Sequence, residues 1–348
     1  MMHIPALLLI FCAVYATCHE DRRPPEYIVN LDLPEEQRWN AVVADFKYDA
    51  ILLNKILGEL MPKELVPLVE KIASGLDDYL PKPFAGEIRG IAKGLGVEVG
   101  EVLIPNIVYD LTAFCTSIVA QDSHGQIWHG RNLDYKYTSI LRNITLVAHF
   151  QRNNKTVYSA VTYAGYTGIL TGQKPNYFTV TADARHKSDD FWKNAILAIL
   201  DRNASFMSFL IRQTMEESLS YTEAIVKLGY SVTIAPCYYI VGGPYRGQGA
   251  VITRGRMRPR DLWFLNPNHG RWYLVETNYD HWEEPPATDN RRAAAMKYLN
   301  ATGQVDMNDT TLFKILSTPP LLRSLTTYTT LMSAAQPDVF NSWIRYKN

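Results

Sequence analysis

A cysteine heads the apolar run Phe114-Cys115-Thr116-Ser117-Ile118-Val119-Ala120, and Arg131 and Asp134 follow within one hairpin's reach. A thiolate is a strong nucleophile, and a cation beside it lowers the thiol pKa from about 8.5. Asp122-Ser123-His124-Gly125 reads as a short turn, so Cys115–Ala120 and Ile127–Arg131 form an antiparallel pair. If Asp122 pairs with Gly125, Cys115 lies opposite residue 132, and thiol, guanidinium and carboxylate come together. Such a cluster suits acyl transfer through a covalent thioester. The same residues also fit a buried structural cysteine in an ordinary hairpin with solvated charges.

The elements that position this hairpin fall into two groups. Before Cys115 the chain reads helical, over 33–39, 42–60, 65–79, 84–95 and 98–109. Apolar residues there recur at amphipathic spacing, and Pro62, Pro67, Pro81 and Pro83 suit helix starts and breaks. After Cys115 alternation predicts further strands at 144–151, 156–161, 178–182, 238–241, 250–253, 262–265 and 272–277. Helices are expected at 192–204, 208–219, 221–228, 289–299 and 310–316. There are no internal repeats and no low-complexity tract, and pattern alone defines the class as α+β.

At 348 residues, 47% hydrophobic and 20% charged, the chain can bury a large core. Lys plus Arg equals Asp plus Glu at 35 each, so global charge points to no nucleic-acid partner. Ile4 to Val14 is an apolar run of signal-peptide length, with small residues for cleavage near Ala16 to Cys18. No later stretch approaches the ~18 apolar residues of a membrane span. Sequons stand at Asn143, Asn154, Asn203, Asn300 and Asn308, which favours the secretory pathway and N-glycosylation. Of four cysteines, Cys12 leaves with the signal. A Cys115–Cys237 bridge, two buried free thiols, or a reactive thiol plus a structural one all remain open. There is no Gly-x-Ser-x-Gly elbow, His-Glu-x-x-His motif or P-loop, and no cofactor or metal is expected. His124 and His129 read as surface and packing residues.

Ordered motifs over most of the chain after Cys115 carry a resemblance. They include Phe114–Ala120, Gly130-Arg131-Asn132-Leu133-Asp134-Tyr135, Phe150-Gln151-Arg152-Asn153-Asn154-Lys155-Thr156 and Ala164-Gly165-Tyr166-Thr167-Gly168. Further on come Glu276-Thr277-Asn278-Tyr279-Asp280-His281-Trp282, Asp289-Asn290-Arg291-Arg292 and Thr327-Tyr328-Thr329-Thr330. In these the chain resembles the acid ceramidase and N-acylethanolamine acid amidase family of N-terminal-nucleophile cysteine amidases. The resemblance implies an αββα sandwich, two stacked antiparallel sheets flanked by helices, preceded by a helical α-subunit segment. It divides the chain into a signal peptide 1–18, an α segment 19–114 and a catalytic β segment 115–348.

By the same resemblance the precursor cuts itself at Phe114/Cys115 and the two pieces stay together as a heterodimer. Cys115 becomes the nucleophile, Arg131 and Asp134 the polar pair beside it, and Asn278 an oxyanion donor. The implied activity is that of a lysosomal amidase hydrolysing N-acylethanolamines such as palmitoylethanolamide, a fatty-acyl amide lipid. Acid ceramidase and a catalytically impaired lipid-binding relative are the alternatives. Apolar faces of the α segment imply contact with a membrane surface or micelle, or simple packing on the β segment. One departure stands out: the family usually carries Glu where this chain has Ala184. The neighbouring Asp183, one step along a strand, is expected to point to the other face.

Overall fold

The computed structural model describes residues 21–60, 63, 66–112, 114–185 and 204–346. The expected signal segment, the expected helix 192–204 apart from Ala204, and the Asn203 sequon lie outside the described residues.

Ahead of the hairpin lie α1 (Asn40–Leu60), α2 (Val66–Ser74), α3 (Leu76–Tyr79), α4 (Phe84–Leu95) and α5 (Val99–Thr112). They match the helical reading except in two places. The run 65–79 divides at Gly75, and 33–39 shrinks to a 3-10 turn, Glu35–Gln37, opened by Pro34. The segment is also not wholly helical. Glu26–Asn30 forms strand β1, which alternates a buried Val29 with an exposed Ile28 and pairs with a strand far along the chain.

The remaining strands are β2 (Phe114–Gln121), β3 (Ile127–Asp134), β4 (Thr145–Arg152), β5 (Lys155–Tyr163), β6 (Thr171–Lys174) and β7 (Phe178–Ala184). They continue with β8 (Cys237–Gly242), β9 (Gly249–Arg254), β10 (Pro259–Phe264), β11 (Tyr273–Glu276), β12 (Thr326–Met332) and β13 (Phe340–Ile344). Eight form one sheet in the order β1-β4-β5-β6-β7-β8-β9-β10, and five form a second, β11-β2-β3-β12-β13. Every pairing is antiparallel except β1 with β4, so the larger sheet is mixed rather than purely antiparallel. The sheets stack with β2 against β7, β8 and β9.

Five helices complete the described chain: α6 (Thr138–Ile144), α7 (Met207–Glu217), α8 (Tyr221–Tyr230), α9 (Arg291–Thr302) and α10 (Asp309–Leu316). On the larger sheet α7 covers β5 to β7 and α8 covers β8 and β9, while α5 meets β7 and carries α1, α2 and α4. On the smaller sheet α10 covers β3 and β12, and α9 covers β11. Gly130 permits that close approach, since a Cβ there would sit 2.8 Å from Leu316 Cδ1. This is the αββα sandwich preceded by a helical segment.

The space between the sheets has two parts. Val119, Ile127, Tyr238, Ile240, Val251, Leu265 and Leu274 form an apolar end. Cys115, Ser117, His129, Arg131, Thr181, Asp183 and Glu276, all buried, form a polar end.

A second polar cluster joins the N-terminal segment to the rest. Glu87 on α4 accepts from Trp39 Nε1 at 2.7 Å, from Arg38 at 3.1 Å, and from both terminal nitrogens of Arg212 on α7. Arg212 also donates to Thr167 O at 2.9 Å and lies over the Phe150 ring at 4.9 Å. Both charged partners are fully buried. Removing Glu87 leaves Arg212 only the longer ionic contact to Glu216 at 3.5 Å, so Glu87→Ala is expected to lose about 3 kcal/mol of stability in urea unfolding. The apolar double substitution Glu87→Leu with Arg212→Met should recover much of that loss. A Glu87→Ala chain as stable as wild type would contradict a structural role for the pair.

Candidate active site

Local bonds at the β2–β3 turn decide which side chains meet. Asp122 N donates to Gln126 O at 3.0 Å, and Gly125 turns the chain with φ +93°. Asp122 Oδ1 holds the amides of His124 and Gln126, each at 2.9 Å. The residue opposite Asp122 is therefore Gln126, not Gly125, and Cys115 pairs with Leu133 rather than residue 132. Because strand side chains alternate, this one-residue difference exchanges faces. Ser117 pairs directly with Arg131, which joins Cys115 between the sheets. Asp134 pairs with Phe114 and shares the opposite face with Asn132.

The thiol and guanidinium are in contact. Arg131 Nη2 donates to Cys115 Sγ at 2.7 Å and to Ala182 O at 3.1 Å. Arg131 Nη1 donates to Leu170 O at 2.7 Å and to Thr171 Oγ1 at 2.8 Å. These bonds pin the cation against the sulfur. Burial pushes the Cys115 thiol up to about 12; Arg131 pulls against this, and Asp183 and Asp134 add to it. In the closed, continuous chain the sulfur is a protonated thiol. Cys115 and Cys237 are both free and buried, so of the three cysteine readings the bridge is not formed.

Asp134 stands beside the Cys115 backbone rather than its sulfur. Its Oδ1 accepts from Thr326 Oγ1 at 2.7 Å, and Arg323 lies 4.0 Å from Oδ2. Burial raises its pKa against that hydrogen bond. Asn278, just beyond β11, touches the same backbone: Cys115 N donates to its Oδ1 at 3.1 Å, and its Nδ2 donates to Ala184 O at 2.8 Å. The sequence reading aims an Asn278 N–H at an oxyanion. In this continuous chain its amide group instead presents oxygen to the Cys115 backbone nitrogen.

Three further residues belong to the site, and sequence reasoning gave none of them a place there. Arg291, at the start of α9, donates to Cys115 O at 2.6 Å and to Asn278 Oδ1 at 2.9 Å, and pairs with Asp289. Its only sequence signal is the Asp289-Asn290-Arg291-Arg292 motif. Asp183, expected on the other face, points at the thiol side: Ser117 Oγ donates to its Oδ1 at 2.9 Å, and Arg131 Nη2 lies 3.7 Å away. Glu276, opposite Ser117 on β11, is buried behind it.

His129 is a buried link rather than a surface group. It bonds Thr179 Oγ1 at 2.8 Å through Nδ1 and Thr181 Oγ1 at 3.1 Å through Nε2. Thr181 in turn donates to Ser117 at 2.9 Å. Trp282, at the end of the Glu276–Trp282 motif, is exposed and edge-on to His281.

An αββα sandwich whose inner strand β2 carries a guanidinium-held cysteine at its second residue defines an N-terminal-nucleophile hydrolase of the cysteine type. The chain is 43% identical to N-acylethanolamine-hydrolyzing acid amidase of Mus musculus over 324 residues, 92% of this chain and 89% of that protein. It is 37% identical to acid ceramidase of Bos taurus over 340 residues, 92% of this chain and 86% of that one. The chain belongs to the family that these amidohydrolases form.

A solved Caenorhabditis elegans N-acylethanolamine-hydrolyzing acid amidase ortholog superposes with a TM-score of 0.62 at 37% identity, covering 66% of this chain and 100% of that one. The family model described as the beta subunit of N-acylethanolamine-hydrolyzing acid amidase matches residues 22–80. That description falls on the segment before Cys115, which the sequence reading labels α.

Burial, then Arg131, pushes the His129 imidazole down from 6.5 to about 3. The folded state refuses a proton that the unfolded chain accepts, so this contribution to stability is present above pH 6.5 and lost as pH falls towards 3. His129→Gln should remove about 1.4 kcal/mol of acid destabilisation per pH unit below ~6. Unfolding free energies measured at pH 7 and 4.5 check this, and an unchanged pH slope would contradict it.

Proposed function

We propose that this chain is an amidase that hydrolyses N-acylethanolamines, palmitoylethanolamide among them, to free fatty acid and ethanolamine. The observation that carries the reading is the Arg131–Cys115 contact at 2.7 Å, with Cys115 N held by Asn278, in a chain of this family. Maturation comes first. Cys115 Sγ attacks the Phe114 carbonyl, the C–N bond breaks, and the thiol proton ends on the freed nitrogen. Water then hydrolyses the thioester, leaving a carboxyl on Phe114 and a free thiol on Cys115. The freed amine remains beside Asn278 Oδ1 and close to Asp134, which together orient it.

Turnover repeats the chemistry on an acyl amide. The thiolate, stabilised by Arg131, attacks the carbonyl; ethanolamine leaves with a proton; water releases the fatty acid. Asn278 and Arg291 are the polar groups that can turn towards the tetrahedral oxyanion. The mature enzyme is a heterodimer of 19–114 and 115–348, N-glycosylated in the secretory pathway and working in the lysosome. The sequon residues Asn143, Asn154, Asn300 and Asn308 are exposed, as glycan attachment requires.

A groove of about 520 Å³ between α2 and α5, with Val66, Val69, Ala73, Val99 and Ile104 in its lining, offers apolar surface for lipid or micelle contact next to the helix that leads to Cys115. Among the described residues no helix is long and apolar enough to cross a membrane. Ceramide hydrolysis is the second reading, favoured by the 37% identity to acid ceramidase.

Purified precursor held at acid pH should yield two fragments, the larger reading Cys-Thr-Ser-Ile at its N-terminus, and Cys115→Ala should remain one chain. The matured enzyme should cleave palmitoylethanolamide faster than a short-chain ceramide in parallel assays. A different N-terminus in an active preparation would end the maturation scheme, and a strong ceramide preference would reverse the substrate assignment.

A further inference from the structure

Asp183 has no task in the scheme above, yet it shares a guanidinium nitrogen with the nucleophile. Arg131 Nη2 donates to Cys115 Sγ at 2.7 Å and lies 3.7 Å from Asp183 Oδ1. Asp183 Oδ2, also buried, accepts no hydrogen bond among the described residues. A thiolate and a carboxylate this close, out of contact with water, repel each other and compete for one cation. We propose that Asp183 is a positioning residue that ties the nucleophile to acid conditions. Protonated, it leaves Arg131 to the negative charge that develops on Cys115 Sγ as the thiol gives up its proton in the attack on Phe114; ionised, it draws on Arg131 and opposes that charge. This inference rests on the reading of Cys115 as the self-cleaving nucleophile.

The neighbours leave Asp183 as the group that changes charge. Burial foremost pushes it up to about 6, against Arg131, the Ser117 hydrogen bond, Arg291 and a hydrogen bond from the neutral Cys115 thiol. Facing it are Cys115 and Ser117 on β2, His129 and Arg131 on β3, Tyr238 on β8, Glu276 on β11, Tyr328 on β12 and Arg291 on α9. His129, held near 3, is neutral, and burial raises both phenols. Burial and then the Asp183 charge raise Glu276 well above the ordinary glutamate value. Arg291 is paired with Asp289. Asp134 lies on the other face with Arg323.

The hydrogen-bonded chain behind Asp183 has a direction. Ser117 donates to Asp183, Thr181 donates to Ser117, and His129 Nε2 lies 3.1 Å from Thr181 Oγ1. That order presents hydroxyl hydrogen to the carboxylate and fixes where it points. The sign follows. Asp183 has a raised pKa, so the competent state is complete in acid and is lost as pH rises through about 6.

The test follows self-cleavage of purified full-length precursor on gels from pH 4 to 8. Wild type should split below about pH 6, with the rate falling about tenfold per unit above it. Asp183→Asn imitates the protonated carboxyl and should abolish the step, cleaving at pH 7.5 at least ~10-fold faster than wild type. Misfolding cannot produce that gain. Ser117→Ala removes a bond that favours the carboxylate and should move the midpoint upward by about one pH unit. An Asp183→Asn chain that keeps the wild-type step, or a folded one that splits at no pH, overturns the inference and leaves the amidase reading intact. If that variant does not fold by circular dichroism, the Ser117→Ala midpoint decides, and an unmoved or lowered midpoint overturns it. A wild-type precursor that never splits at Phe114/Cys115 overturns the self-cleavage reading and the inference together.

Discussion

Ser117 and Arg131 face each other across β2 and β3, and that pairing decides what occupies the polar space between the sheets. It depends on three residues, Ser123 to Gly125, at the far end of the hairpin. Asp122 gathers two amides onto one carboxylate oxygen, and Gly125 takes a backbone angle that most side chains resist. A loop one residue shorter would turn Arg131 outward towards α10 and bring Asp134 inward. The thiol would then meet an anion without its cation. The chemistry at Cys115 thus depends on turn geometry six residue pairs away along the ladder from Cys115 to Gln121.

Charge buried between the sheets carries an energetic cost, and hydrogen bonding offsets it unevenly. Four of the five Arg131 donors are used, two on carbonyls, one on a hydroxyl and one on sulfur. The carboxyls are less well served: Asp183, Glu276 and Asp134 each keep one oxygen without a hydrogen bond. All three have pKa values raised by burial. A group of that kind favours the folded state most below its unfolded pKa and loses the advantage as pH rises. His129 works in the opposite sense. The inter-sheet layer therefore contains acids that tolerate acid conditions and one imidazole that resists them.

Legibility followed physical range. The long helices before Cys115 and strands such as β4, β5 and β9 carry their own periodicity, and their positions follow from it. β1, β6, β12 and β13 do not. Thr-Thr-Tyr-Thr-Thr-Leu-Met in β12 is buried on both faces and shows no alternation, and β1 finds its partner only through tertiary pairing with β4. Cys115 and Arg131 were legible because one hairpin links them. Asn278 was legible only through a motif. Arg291, Asp183 and Glu276 come to the site from α9, β7 and β11, and beyond the Asp289–Arg292 motif nothing local marks them. The hairpin register shows the limit most clearly: a one-residue difference in pairing left the residue list intact and exchanged the faces of its two charges.

The two sides of Cys115 are also joined away from it, and this bears on what a cut at Phe114 would do. β1 contributes an edge strand to the larger sheet, bonded through Tyr27 and Val29 to the ladder of β4. Glu87 and Arg212 close a buried ion pair across the same division, within a cage of Trp39, Phe84 and Phe150. Neither contact lies near the Phe114–Cys115 bond. Severing that bond removes one covalent link but exposes none of this surface, so the dissociation penalty stays that of a domain core divided in two. The new freedom is confined to the few residues entering β2. There it does something specific: it turns an amide nitrogen that donates to Asn278 into an amine, and it lets the chain end withdraw from a sulfur that burial holds protonated. On the proposed maturation scheme, such a local cut would change the state of Cys115 while Arg131, held by carbonyls of β7 and of the Leu170–Thr171 turn, stays where a thiolate would need it.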